Sequence, residues 1–138
     1  MSEIVSWIED AVREQHLNVM RLPTDDAQKI VDTAKRAFVQ GDPSSWWFGL
    51  QTSPRHLSSI DLPLCAVIPS STLNPFFIPE TEEKQLPVFR GAAAELERLV
   101  GECPFFEFYV VAPDNSWLVI ETHHDEYLLC GDGGWLGF

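Results

Sequence analysis

The densest run of side chains able to do chemistry is Glu121-Thr122-His123-His124-Asp125-Glu126. Carboxylates and imidazoles this close together support three kinds of work. They can move protons, because histidine titrates near neutrality. They can ligate a divalent metal. They can also meet a cationic partner across an interface. Two adjacent histidines on a strand point to opposite faces, so sharing one metal is awkward for them. The string has no established ligand spacing such as H-E-x-x-H.

Two strand-like runs must position these groups. Trp117–Thr122 precedes the cluster and Glu126–Cys130 follows it, while Phe105–Ala112 forms a third run upstream. The connections are Pro113-Asp114-Asn115-Ser116 and His123-His124-Asp125, both composed of turn residues. Links this short impose antiparallel neighbours, hence a meander. A tight turn at Asp114-Asn115 pairs Val110 with Val119 and Phe108 with Glu121. A second tight turn at His124-Asp125 pairs Glu121 with Leu128 and His123 with Glu126. Glu121 then sits between an aromatic and a leucine, where desolvation raises a carboxyl pKa. Glu121, His123 and Glu126 form one cluster at a sheet end in that register.

Three readings of the cluster stay open. Glu121 is paired internally and the rest is a polar hairpin turn; or Glu121, His123, His124, Asp125 and Glu126 form a recognition surface; or Glu121, His123 and Glu126 centre a metal or acid–base site. All depend on register, since a one-residue slip moves a side chain to the other face.

The remainder of the chain supplies the frame. Ser2 caps a first helix carrying Ile4, Ile8, Ala11 and Val12 at helical spacing, with Val5, Trp7 and Leu17 widening its apolar face. Thr24 opens a second, with Ala27, Ile30, Val31, Ala34, Ala37 and Phe38 as its buried stripe and Gly41 as its cap. From Asp42 to Pro87 recurrent prolines leave room for short extended pieces only: Trp46–Leu50, Leu64–Ile68 and Phe76–Ile78. A third helix starts at Pro87 and places Val88, Ala92, Leu96 and Leu99 on one face before Gly101 and Pro104 stop it. After the meander, Gly131, Gly133, Gly134 and Gly137 interleave with Trp135, Leu136 and Phe138 in a flexible, apolar tail. The expected fold is α+β, one domain over residues 1–138: two N-terminal helices, a proline-rich middle with short strands, a third helix, and a C-terminal three-stranded antiparallel meander in one sheet. The meander strands are apolar on both faces, which calls for cover on both: helices on one, the proline-rich middle or a partner on the other.

Charge narrows the function. The 138 residues carry 21 acidic and 9 basic side chains, a formal net charge of -12. Residues 92–138 hold nine acids and one base, Arg98. Nucleic acid and anionic membrane surfaces both need a Lys/Arg footprint, so neither is an expected partner. A basic protein is, drawn by the acidic field. Cys65, Cys103 and Cys130 are odd in number and lack C-x-x-C spacing, which fits free thiols in a reducing cytoplasm. The N-terminus lacks the basic and apolar regions of a signal peptide. No G-x-S-x-G, P-loop or G-x-G-x-x-G occurs, so no catalytic residue, metal or other cofactor is assigned. The pair Trp46-Trp47, together with Tyr127 and Trp135, supplies candidate aromatic anchors; core packing is the competing role for Trp46-Trp47.

Over residues 117–126, Trp-Leu-Val-Ile-Glu-Thr-His-His-Asp-Glu, the chain resembles a small bacterial family of no established activity, in which a tryptophan strand runs into an E-x-H-H-D-like turn after an aromatic strand such as Phe105–Tyr109. That resemblance covers mainly residues 104–131 and implies no catalytic residues. At fold level the organisation is similar to cytosolic immunity proteins of bacterial toxin systems, including the SUKH superfamily. That likeness implies a non-catalytic inhibitor; the charge and aromatic content of the chain supply the expected contacts with a basic protein partner, a toxin among the candidates, at Glu121, His123, His124, Asp125, Glu126, Trp46, Trp47 and Trp135. The alternative is a small metal-binding protein or metal-assisted hydrolase centred on Glu121, His123 and Glu126.

Overall fold

The computed structural model describes residues 2–135; the tail residues Leu136, Gly137 and Phe138 lie outside the described residues. The chain is α+β. Helix α1 spans Glu3–Glu14, and the Ser2 hydroxyl accepts the Ile4 N–H at 3.1 Å, satisfying one of the orphan donors of the first turn. Val5, Ile8 and Ala11 form its buried stripe. Helix α2, Thr24–Phe38, has no side-chain cap; Asp25 and Asp26 in its first turn and Lys35 and Arg36 in its last complement the helix dipole.

Seven strands form one antiparallel sheet: β1 Val19–Arg21, β2 Arg55–Ser58, β3 Phe76–Pro79, β4 Phe89–Gly91, β5 Phe108–Val111, β6 Trp117–Thr122 and β7 Glu126–Gly131. Their spatial order is β1-β4-β3-β5-β6-β7-β2, so the expected meander is the middle of a larger sheet. Two further helices, α3 Leu64–Val67 and α4 Ala93–Glu102, pack on one face together with α1. That face buries Ile8, Leu64, Leu96, Phe77, Phe108 and Val119. Helix α2 covers the other face, where Val31, Ala34 and Phe38 meet Tyr109, Leu118 and Ile120. The two N-terminal helices therefore lie on opposite sides of the sheet, and each apolar face of the meander is covered by helix.

Several expected elements take another form. Leu64–Ile68 is not extended: Leu64–Val67 makes one helical turn after Pro63, with Leu64 and Val67 buried on one side. A run of four apolar residues carries no periodicity that separates strand from buried helix. Trp46–Phe48 is a 3-10 turn rather than a strand, closed by the Val39–Leu50 bridge. The third helix starts at Ala93, not Pro87, because Phe89–Gly91 pairs with both β1 and β3. Alternation decides that stretch: Val88 packs on the α2 side and Phe89 on the other. Gly91 suits the close pairing, since a Cβ there would stand 3.0 Å from the Asn18 carbonyl oxygen. Gly41, at φ +72°, lies beyond α2; the cap itself is the extended Val39.

The first register of the meander is as expected, with Phe108 opposite Glu121 and Val110 opposite Val119. The second is not. Glu121 faces Tyr127, not Leu128, and Thr122 rather than His123 faces Glu126. The cause is turn length. His123-His124-Asp125 is a three-residue turn with Asp125 at φ 54°, the left-handed residue such loops require, and this advances β7 by one position.

Candidate functional site

The antiparallel order brings distant segments to one end of the sheet. Pro79 closes β3 opposite Phe108, which opens β5; Thr122 closes β6 opposite Glu126, which opens β7; and Ser58 closes β2 beside Glu126. The residues just beyond these termini, Glu80, Glu107 and His123, become neighbours. The Glu80 N–H donates to the Glu107 carbonyl at 2.9 Å. Glu107 Oε2 accepts the His123 N–H at 2.9 Å and lies 2.6 Å from His123 Nδ1. The His123 and His124 rings are 4.0 Å apart, and the Trp47 indole stands edge-on to both, at 6.0 and 5.9 Å. Trp47 in turn packs 4.1 Å from the ring of Phe48, which is 63% exposed.

This end is short of partners. Glu80 Oε2 and Trp47 Nε1 are buried with no hydrogen bond. Burial, and secondarily the nearby Glu107 carboxylate, push the Glu80 carboxyl up to about 7. Glu121 is half-buried, and burial raises its carboxyl as well; a hydrogen bond from Ser59 works against that rise and Asp125 adds to it. The segments meeting here also bring Glu82, Glu83, Asp125 and Glu126. Glu83 Oε1 accepts the Ser2 N–H at 3.2 Å, and the Glu83 N–H donates to Thr81 Oγ1 at 3.3 Å.

The expected contact residues divide sharply. His123, His124 and Asp125 are exposed at the turn, with Trp47 and Glu126 half-buried beside them. Trp46 is in the core, stacked on Tyr109 at 4.2 Å and 6°, its N–H donating to Tyr109 Oη at 3.2 Å. Trp135 is buried too, edge-on to Trp117 at 6.4 Å with its indole N–H donating to the Val67 carbonyl at 2.9 Å. Tyr127 is buried and donates its hydroxyl to the Leu62 carbonyl. Glu121, His123 and Glu126 do not form the expected cluster: Glu126 pairs with His56 at 3.2 Å, His123 with Glu107, and no hydrogen bond or ion pair among the described residues joins the three. The displaced register accounts for it.

Chemistry follows from these contacts. A carboxylate–imidazole pair such as Glu107–His123 is half of a general-base unit. Among the described residues, however, no hydroxyl or thiol is hydrogen-bonded to either imidazole ring. Among the same residues, no group of three or more His, Cys, Asp or Glu side chains is disposed to hold a metal ion. What the arrangement can do is present carboxylates beside the half-buried Trp47 and the exposed Phe48. Glu80 is the member that sequence reasoning missed. Glu107 and Glu80 lie 27 positions apart in sequence, and only the β3–β5 pairing joins them.

Cys65, Cys103 and Cys130 are unpaired, and no helix among the described residues is long and apolar enough to cross a membrane. Compared with protein-family models, curated proteins and solved structures, the chain matches none.

Proposed function

We propose that this chain is a non-catalytic cytoplasmic binding protein, an immunity-type inhibitor that engages a basic protein partner through the acidic end of its sheet. One observation carries the reading: Glu80, Glu82, Glu107, Asp125 and Glu126, from three separate stretches of chain, come to the end of the sheet where Phe48 is exposed and Trp47 half-buried. A single-sign field accelerates encounter with an oppositely charged partner, and desolvated aromatics supply the anchors that hold it.

The test is capture by the tagged chain from a lysate of its host at low and high salt, followed by titration of the captured protein against an E82K/D125N/E126K variant, Asp125 being changed to Asn because its left-handed backbone disfavours lysine. These three positions are chosen because Glu121 packs between Phe108 and Tyr127, where a lysine would disturb the fold. A stoichiometric basic partner, lost at high salt and bound about 100-fold more weakly by the variant, supports the reading. An affinity that the reversal leaves unmoved, or no partner at either salt, overturns it.

A further inference from the structure

The opposite end of the sheet carries a cleft of about 680 Å³ between the 69–74 loop, the β5–β6 turn and the segment after β7. It holds charges of both signs. Arg90 lines the cleft with Asp114 and Asp132 and, among the described residues, forms an ion pair with neither. It is nevertheless held in place: its Nε–H donates to the Asn74 carbonyl at 3.0 Å, and its guanidinium lies 4.9 Å over the Phe76 ring. Those contacts fix the plane of the fork and leave its terminal N–H groups without a partner among the described residues.

The rest of the lining extends the pattern. Trp117 Nε1–H donates to Thr72 Oγ1 at 3.3 Å, so the Thr72 hydroxyl proton is free to be given elsewhere. Asp114 Oδ1 accepts the Ser116 N–H at 3.0 Å, and hydrogen bonds from Ser116 hold that carboxyl below its ordinary range, so it is charged at neutral pH. The Asp132 N–H donates to the Ser116 carbonyl at 2.7 Å, tying the second acid to the same turn. Leu73, 81% exposed, gives the rim an apolar surface. The cleft thus offers an oriented cation, a hydroxyl donor and two carboxylates around one open volume.

We propose that this cleft binds a small zwitterion, an amino acid or short peptide with both terminal charges, its carboxylate on the Arg90 fork and its ammonium toward Asp114 and Asp132. A planar guanidinium takes a carboxylate through two parallel hydrogen bonds, which sets the direction in which the ligand lies. The proposal is independent of the acidic end and stands whatever happens to the inhibitor reading.

The test is titration of the ¹⁵N-labelled full chain, followed at the Trp117 indole and Thr72 amide signals, with four probes: leucine, Gly-Leu, N-acetyl-Gly-Leu and Gly-Leu amide. Saturable shifts are expected with leucine or Gly-Leu, and which of the two binds more tightly separates an amino-acid from a peptide ligand. Blocking either terminus weakens binding about tenfold or more, and so do R90Q and D132N, since a lost charge-assisted contact is worth at least that much. D132N lies on an exposed loop and keeps the test open if R90Q perturbs β4. Absence of saturable shifts with both zwitterions overturns the proposal. So does an acetylated peptide that binds as well as the free one.

Discussion

The two ends of this sheet are built from the same seven strands and differ in what their termini expose. At the β6–β7 end, acids from 80–82, 107 and 125–126 come together, with His123 drawn onto Glu107 and one Glu80 oxygen buried without a hydrogen bond. At the β5–β6 end the acids are fewer, each is tied into a turn, and a cation stands across from them. The difference shows that net charge is a poor guide to how charge is distributed. The chain's excess of acid is expressed as crowding at one end and as separation of opposite charges at the other. Crowding suits a large cationic surface, and separation suits a small dipolar molecule.

The comparison can be broken most severely from beneath. Trp46 stacks under the acidic end, and Trp46→Ala should cost about 3–5 kcal/mol in urea unfolding, as for other buried large aromatics. Trp47→Ala should cost under about 1.5 kcal/mol, since part of that ring already meets solvent. Equal losses would show that both tryptophans are structural and would remove Trp47 as a contact.

A smaller effect sharpens the electrostatic side. The folded Glu80 carboxyl, near 7, lies above its ordinary 4.5, so the folded state keeps a proton that the unfolded chain releases. Its contribution to stability is full below about 4.5 and is lost as pH rises through 7. Glu80→Gln should therefore match the parent at pH 4 and exceed it at pH 8, by about 1 kcal/mol once screening at a half-open site is allowed for. A variant with the same pH–stability curve as the parent would mean that the carboxyl is not strained at neutral pH.

The smallest effect isolates one neighbour. In Glu107→Gln, the Glu80 titration followed by side-chain ¹³C shifts should move down yet stay above 4.5, because burial outweighs the Glu107 charge. Return to the ordinary value would reverse that ranking of causes.

How much of this was legible depended on whether the deciding contact was local. Ser2 before an apolar helical stripe, and Asp114-Asn115 between two hydrophobic runs, specify α1 and the Phe108–Glu121 register through residues that are near in sequence. The second hairpin failed on one backbone angle: Asp125 tolerates the left-handed region, and nothing in its identity separates a two-residue turn from a three-residue one. Arg55-His56-Leu57-Ser58 shows too little hydrophobicity to announce a strand; it is one because β7 offers it an edge. Trp46 and Trp47 are identical in type and adjacent, and only the 3-10 turn sends one into the core and the other to the surface.

The placement of β2 at the sheet edge beside β7 has a consequence in time. Ser58 waits for Glu126, and Arg55 for Leu129, so this edge cannot close until nearly the whole chain is available. The β5–β6–β7 hairpins, whose partners are close in sequence, need no such delay. Pairings of large sequence separation carry the greater loop-closure entropy and form late. On a ribosome the β2 segment would therefore emerge early and remain an unpaired strand while the rest of the chain is made. Pulsed hydrogen exchange during refolding should protect the β6 amides before those of β2; simultaneous protection would mean that the edge assembles with the centre in one step.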